Sequence, residues 1–169
     1  MPERTHRYTA HVEWTGNTGR GTAEYTAYSR NFLIRDAGKP EIPGSSVPLW
    51  HGDGTRYNPD ELLVAALASC HMLWYLHLCA DSGIVVTEYS DDAEGTLELA
   101  PDGGGRFTSV TLRPRVRIAA GDPERATELH QRAREKCFVA NSVNFPVHHE
   151  PVTLPGASPS PPAPAPTAK

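Results

Sequence analysis

The alternation of apolar and polar residues near the start of the chain predicts a β-hairpin. Residues 6–14 (HRYTAHVEW) place their apolar side chains on one face and polar side chains on the other, with the period of two that is typical of a half-buried strand. The Gly- and Asn-rich segment 15–21 predicts a turn, and residues 22–28 (TAEYTAY) predict the returning strand. Residues 36–57 are rich in Gly, Pro and Ser, so we expect a long loop there.

The strongest pattern in the chain is an apolar helix. Its start carries an N-cap, a proline at the first helical position and two acids at the positive end of the helix dipole: Asn58, Pro59, Asp60 and Glu61. Between residues 62 and 80 only Ser69, His71 and His77 are clearly polar. A helix that is apolar nearly all round is expected to be buried on all sides. Gly83 is expected to end it.

This helix approaches the length of a membrane span, which needs about 20 apolar residues. Two histidines, a serine, an acidic N-terminal flank and the absence of a basic flank favour a buried core helix instead. We therefore expect no membrane association.

The second half of the chain predicts strands followed by another helix. Residues 84–100 and 107–118 predict strands on either side of a turn at residues 101–105. Leu112, Val116 and Ile118 are expected to face inward, with Arg113, Arg115 and Arg117 on the opposite face. Three alternate arginines would suit an anion site, although a solvated sheet face is more common. The capping sequence at residues 122–124 begins a helix that is expected to run to about residue 136.

Together these elements predict an α+β domain over residues 1–154. Residues 155–169 contain six of the 16 prolines and no apolar periodicity, which predicts a disordered tail. The net charge of −4 and the absence of a basic run argue against nucleic-acid binding. No apolar segment follows the first charged residues, and three cysteines without an export signal favour the reducing cytoplasm.

The three cysteines are the candidate reactive groups. Cys70 and Cys79 are nine residues apart, so at about 100° per residue they point to opposite sides of one helix and cannot pair. Cys137 follows the second helix and is free to approach either. A cysteine in an apolar helix is most often a core residue, and that interpretation holds for Cys79. Cys70 and His77 lie about 10.5 Å apart along the helix, too far to share a metal ion, so we expect no metal or cofactor.

Two motifs together resemble the OsmC/Ohr family, the osmotically inducible and organic-hydroperoxide-resistance proteins. They are NPDELLVAALASCHM (58–72) and REKCFVANSVNFPV (134–147). The family pattern is an Asn-Pro-acidic helix start, a cysteine near the middle of that helix and a second cysteine downstream. Its order and spacing fit about residues 6–154. The resemblance implies an intertwined α+β homodimer, with curved antiparallel sheets around central buried helices, and a Cys-based peroxidase that needs neither haem nor metal.

The resemblance also implies roles for individual residues. Cys70 corresponds to the peroxidatic cysteine, Cys137 to the resolving cysteine and Arg20 to an arginine of the N-terminal hairpin. Asp60 lies where the family usually has the glutamate that holds this arginine.

Two positions depart from the family pattern. Asp60 is one methylene shorter than Glu, so Glu61 or Arg56 could take over its role. Phe138 follows Cys137 where proline is common. Neither departure removes a thiol.

The chemistry implied by the resemblance is the reduction of organic hydroperoxides in oxidative-stress defence. A nearby arginine stabilises the reactive thiolate, a carboxylate holds the arginine, and the resulting sulfenic acid condenses with the second cysteine. An apolar helical wall favours organic hydroperoxides over hydrogen peroxide. A dithiol, such as a lipoyl protein, would be the reductant. The alternative function is a non-catalytic dimer of the same fold that binds a small ligand, and a Cys-dependent hydrolase lacks a convincing His or oxyanion motif.

Helix geometry favours a site that is shared between two chains. Asp60 and Cys70 are ten residues apart, about 15 Å along the helix axis. An arginine held by Asp60 would not readily reach the thiol of its own chain across that distance. Two such helices packed antiparallel bring the start of one near the middle of the other, so we expect a homodimer.

Overall fold

The computed structural model describes residues 5–155, which belong to two compact units, Met1–Leu63 and Val64–Lys169. The first unit contains a three-stranded antiparallel sheet in the order β1 (His11–Trp14), β2 (Phe32–Arg35) and β3 (Ile42–Gly44). A single turn of 3-10 helix follows at Pro48–Trp50. The predicted long loop over residues 36–57 therefore contains a strand and a helical turn.

The predicted returning strand at residues 22–28 is wrong, because β1 pairs with β2 instead. The intervening segment closes on itself through local hydrogen bonds. The Asn17 side chain accepts hydrogen bonds from the backbone N–H groups of Gly19 and Gly21. The Arg30 guanidinium donates hydrogen bonds to the backbone carbonyls of Tyr25 and Tyr28. These bonds occupy backbone groups in turns, so the alternating sequence forms no ladder there.

Helix α1 (Pro59–Asp81) begins and ends as the sequence predicts. A reciprocal capping box starts it: the Glu61 N–H donates to Asn58 Oδ1 at 2.9 Å, and the Asn58 N–H donates to Glu61 Oε2 at 3.0 Å. At the other end Gly83 adopts a φ of 70°, which glycine tolerates without strain, and the Ile84 N–H returns to the Cys79 carbonyl.

Among the described residues 5–155 of the single chain, α1 buries one face. The buried residues follow helical spacing: Leu67, His71, Tyr75, Leu78 and Cys79. On the opposite side Leu73 is 64% exposed. The single chain therefore does not by itself supply the burial on all sides that the sequence predicts for α1. By length and composition alone α1 could cross a membrane, a test that the core helix of a soluble protein also passes.

The second unit completes an α+β fold, as predicted. Its two three-stranded sheets have the orders β4-β7-β9 and β5-β6-β8. Their elements are β4 (Val85–Asp91), β5 (Glu94–Leu99), β6 (Gly105–Leu112), β7 (Pro114–Ala120), α2 (Pro123–Lys136), a 3-10 turn (Ala140–Ser142), β8 (Val147–His149) and β9 (Val152–Pro155). The predicted strand over residues 84–100 is split into β4 and β5. Strands β8 and β9, which join β6 and β7 in parallel, were not predicted.

The core of this unit has the inward face that the alternation predicts. Leu112, Val116 and Ile118 are all buried. On the other face Arg113 pairs with Glu94 and Glu150 at 3.0 Å each, as expected for a solvated sheet face. Helix α2 has the predicted bounds and buries residues at helical spacing: Ala126, Leu129, His130 and Ala133. The predicted tail lies outside the described residues, apart from Pro155 at the end of β9.

Candidate active site

A groove opens along α1 beside Cys70. It has a volume of about 620 Å³ and is bordered mainly by apolar and aromatic side chains: Ala66, Ser69, Cys70, Leu73, Trp74, His77, Phe138 and Val139. Cys70 is half-buried and carries a free thiol. A volume of this size is typical of small-molecule sites, which span about 300–1,000 Å³. The groove can therefore admit an apolar molecule to a thiol.

The structure brings Cys137 to Cys70, although 67 residues separate them in the sequence. Cys137 caps the C-terminus of α2 and is 1% exposed. Burial raises the pKa of the Cys137 thiol well above its usual value, and hydrogen bonding to Cys70 raises it further. Cys137 is therefore protonated at neutral pH, whereas Cys70 is the cysteine that borders the groove.

Local geometry fixes the Cys137 side chain. Its backbone N–H donates to the Arg134 carbonyl at 3.3 Å, which ends α2. Its Sγ accepts the Ala140 N–H at 3.4 Å, at the start of the short 3-10 helix. The chain immediately after Cys137 is thus curled around the sulfur rather than extended away from it.

Two aromatic side chains form the wall of the groove. The rings of Trp74 and Phe138 meet edge to face, with centroids 5.6 Å apart. At the next turn of α1, His77 contacts Trp74 edge to face and lies 3.5 Å from the Asp81 carboxylate. The Ser69 hydroxyl is occupied by a hydrogen bond to the Ala65 carbonyl. The surface next to the Cys70 thiol is therefore mostly apolar.

The other predicted site residues belong to the first compact unit. Arg20 is exposed and pairs with Glu24 at 2.8 Å. Asp60 is half-buried in the first turn of α1. Of the two possible substitutes, Glu61 is used by the capping box and Arg56 pairs with Asp53. Within residues 64–155, the lining of the groove includes no arginine.

The predicted core role of Cys79 is confirmed, because Cys79 is buried in the apolar cluster between α1, β7 and α2. Among the described residues, no group of three or more His, Cys, Asp or Glu side chains has an arrangement that could hold a metal ion.

Several residues of the site were missed by the sequence analysis. Leu73 and Trp74 follow Cys70 by three and four positions, so helical spacing alone could have placed them on the same face. The sequence marks Phe138 only as a departure from the family pattern. Nothing in the sequence places it against Trp74, because that contact depends on how the end of α2 packs against α1.

The fold resembles solved structures over nearly its whole length. An OsmC-like protein of unknown function from Vibrio cholerae is 30% identical, with a TM-score of 0.78, over 88% of this chain and all of that chain. An organic hydroperoxide resistance protein from Elizabethkingia anophelis, solved with thiocyanate bound, has a TM-score of 0.63 over 92% of this chain and all of that chain. At 19% identity the latter likeness shows the fold alone.

Sequence comparison leads to the same group. The uncharacterised protein YmaD of Bacillus subtilis is 24% identical over 143 residues, which cover 82% of this chain and 87% of that protein. A family model described as OsmC-like protein matches residues 52–151, well over half of the chain. This match includes α1, α2, strands β4 to β8 and both Cys70 and Cys137. The chain therefore belongs to the OsmC-like family.

Proposed function

We propose that this protein is a thiol peroxidase that reduces organic hydroperoxides in oxidative-stress defence. The observation that supports this most directly is the placement of Cys70 on an open apolar groove beside the buried thiol of Cys137. Membership of the OsmC-like family agrees with it, as does the name of the Elizabethkingia relative.

The first step oxidises Cys70. Its thiolate attacks the terminal oxygen of the hydroperoxide, the O–O bond breaks, and the sulfur loses two electrons to become a sulfenic acid. The alkoxide leaves and takes up a proton to form the alcohol. An arginine near the thiolate would stabilise both the thiolate and the departing oxygen, which is the role we propose for Arg20 held by Asp60.

The second step uses Cys137. Its sulfur attacks the Cys70 sulfenic acid, the S–O bond breaks, and the hydroxide leaves as water with the proton that Cys137 held. Because the raised pKa of Cys137 keeps this proton on the thiol, no separate acid is required. A dithiol, such as a lipoyl protein, would then reduce the disulfide and complete the cycle.

We also propose that the working unit is a soluble, cytoplasmic homodimer. Leu73 on α1 is 64% exposed, and Phe138 just after α2 is 68% exposed. Both are large apolar side chains that border the groove. Exposed apolar surface of this kind is typical of protein interfaces. A second copy would bury the remaining faces of α1 and could supply the arginine that the groove lining of residues 64–155 does not include.

The test is hydroperoxide consumption by the purified full chain, with dithiothreitol and either cumene hydroperoxide or hydrogen peroxide. We expect faster turnover of the organic substrate, no turnover by Cys70→Ser, and one equivalent consumed by Cys137→Ser in the absence of reductant. Cys79→Ala is the matched control and retains full activity. Ligand binding in the groove without any peroxide consumption by the wild type would instead identify the small-ligand-binding alternative.

A further inference from the structure

Three histidines contact one another in the core, where α1, α2 and β8 come together. His71 follows Cys70 on α1, His130 comes from α2, and His149 comes from β8. His71 and His130 are 1% and 2% exposed, and His149 is half-buried. The peroxidase mechanism does not use any of them.

The cluster has a defined geometry. His71 Nε2 and His130 Nδ1 lie 3.0 Å apart, so one ring donates a hydrogen bond to the other. His130 also stacks on the Tyr75 ring, with centroids 3.8 Å apart and planes 11° from parallel. The ring of His149 also contacts that of His71, with centroids 4.5 Å apart.

This arrangement has an energetic cost. One nitrogen of each ring is buried without a hydrogen-bond partner: His71 Nδ1, His130 Nε2 and His149 Nε2. Burial is the main reason that the pKa values of His71 and His130 fall to about 3 and that of His149 to about 4. The positive charge of Arg134 on α2 lowers the pKa of His149 further, as does His148 on β8. Apolar side chains could fill this space without leaving buried nitrogens unpaired. The hydrogen bond between His71 and His130 is therefore not explained by stability alone.

The two hydrogen-bonded histidines are close to the two cysteines in the sequence. His71 is adjacent to Cys70, and His130 precedes Cys137 by seven residues, which is two helical turns and nearly the same face of α2. Helix α2 thus contacts α1 twice along one face, through His130 and through Cys137. The Trp74–Phe138 contact lies immediately beyond the second of these points.

We propose that His71 and His130 are positioning residues, whose hydrogen bond and stack on Tyr75 hold α2 so that the Cys137 thiol stays against Cys70. The proposal rests on the proposed function in treating these two cysteines as a redox pair. A hydrogen bond is directional, so the bond between His71 and His130 restricts the rotation of α2 about its own axis in addition to the apolar packing of that helix. Loss of the bond lowers the effective concentration of one thiol at the other.

The main test measures the effective concentration of one thiol at the other, through the reduction potential of the cysteine pair and without any peroxide. The Cys70–Cys137 pair of the full chain, with Cys79 replaced by alanine, is equilibrated with glutathione buffers and its reduction potential is read from the fraction oxidised. His130→Phe keeps a ring over Tyr75 but removes the hydrogen bond. We expect the disulfide to become about tenfold less favourable, a shift of about +30 mV. His130→Asn, whose amide can replace Nδ1, is expected to restore most of the potential.

A core substitution controls for general destabilisation. Leu129→Val alters the buried neighbour of His130 on α2 and leaves the histidine pair intact. It should lower the melting temperature without moving the potential. If His130→Phe does not fold, the pair His71→Leu and His71→Gln makes the same comparison from α1, because the glutamine amide reaches the position of Nε2.

A kinetic measurement separates positioning from catalysis. In His130→Phe, oxidation of Cys70 by cumene hydroperoxide keeps its rate, while conversion of the sulfenic acid to the disulfide slows about tenfold. The proposal would be overturned by an unchanged reduction potential in His130→Phe. It would also be overturned if Leu129→Val shifted the potential in step with its melting temperature, or if His130→Phe slowed sulfenic-acid formation and disulfide formation equally. If the wild type does not react with hydroperoxide, the proposed function fails while the glutathione measurement still decides the role of the histidines.

Discussion

The thiols of Cys70 and Cys137 are within hydrogen-bonding contact where the end of α2 lies against the middle of α1. Only Cys70 borders the groove, whereas Cys137 is almost completely buried. The pair is therefore asymmetric before any reaction takes place. A substrate in the groove can contact the Cys70 sulfur, whereas the buried Cys137 sulfur is accessible to Cys70 and not to the groove.

This asymmetry predicts selective alkylation. With one equivalent of iodoacetamide at pH 7.5, Cys70 should be labelled at least about tenfold faster than Cys137 or Cys79, because burial raises the pKa of both buried thiols. Peptide mass spectrometry quantifies the three sites. Unfolding in urea is the control and should make the three rates similar. Equal labelling of Cys137 in the folded protein would contradict the geometry.

The proximity of the two sulfurs predicts a specific disulfide. After one equivalent of cumene hydroperoxide, non-reducing peptide maps should contain Cys70 linked to Cys137 within one chain. Such a bond needs Cα atoms about 4.4–6.8 Å apart. The Cys79→Ala variant should form the same linkage. A linkage from Cys70 to Cys79, or between chains, would show that Cys137 does not resolve the sulfenic acid.

The sequence predicts both helices well because their signals are local. The capping box at Asn58, Gly83 at the end of α1, and the Asp122 cap of α2 act within a few residues of each helix end. The same holds for Leu112, Val116 and Ile118, whose alternation places them in the core.

The elements and contacts that the sequence does not predict have a common physical cause. Strands β8 and β9 are three and four residues long and pair in parallel with strands far away in the chain, so no alternation or turn marks them. The contact of His71 with His130 depends on the same long-range packing. The segment at residues 22–28 has strand-like alternation, but its backbone groups are taken by local turns.

The buried histidines predict a loss of stability in mild acid. Their pKa values of about 3 to 4 in the folded chain lie below the unfolded value of about 6.5, so the unfolded chain binds more protons between these limits. Their contribution to stability is complete above about pH 6.5 and is progressively lost as the pH falls toward about 3. Urea unfolding between pH 7 and pH 5 should show this slope.

A substitution tests whether the three buried histidines cause this pH dependence of stability. His130→Phe removes one of three titrating rings and should reduce the slope between pH 7 and pH 5 by about a third. His11→Gln, at an exposed position of β1, should leave it unchanged. An equal slope in the wild type and His130→Phe would mean that other groups cause the pH dependence.

The aromatic wall predicts substrate preference. Phe138→Ala removes an exposed ring that packs on Trp74, so the stability cost should be small. We expect kcat/KM for cumene hydroperoxide to fall about two- to tenfold, because an aromatic contact contributes roughly 0.5–1.5 kcal/mol, while the kcat/KM for hydrogen peroxide changes much less. Leu99→Ala, an exposed apolar residue of β5, is the matched control. A parallel loss for both peroxides would indicate damage to the thiol site instead.

The last prediction concerns sharing of the site between two chains. Ten residues of α1 separate Asp60 from Cys70, and the lining of the groove within residues 64–155 includes no arginine. If Asp60 of one chain holds the arginine that serves Cys70 of the other, Asp60→Ala and Cys70→Ser should each be weak or inactive alone. A mixed dimer of the two variants nevertheless retains one complete site.

Mixing the two variants therefore tests the arrangement directly. Random reassociation of equal amounts makes half of the dimers mixed, each with one of its two sites complete, so about a quarter of wild-type activity should return. A mixture of Asp60→Ala with the double variant Asp60→Ala/Cys70→Ser is the control and should regain nothing. Sedimentation must show dimers throughout. If the mixture stays as inactive as its parents while mixed dimers form, each chain builds its own site and the shared arrangement is wrong.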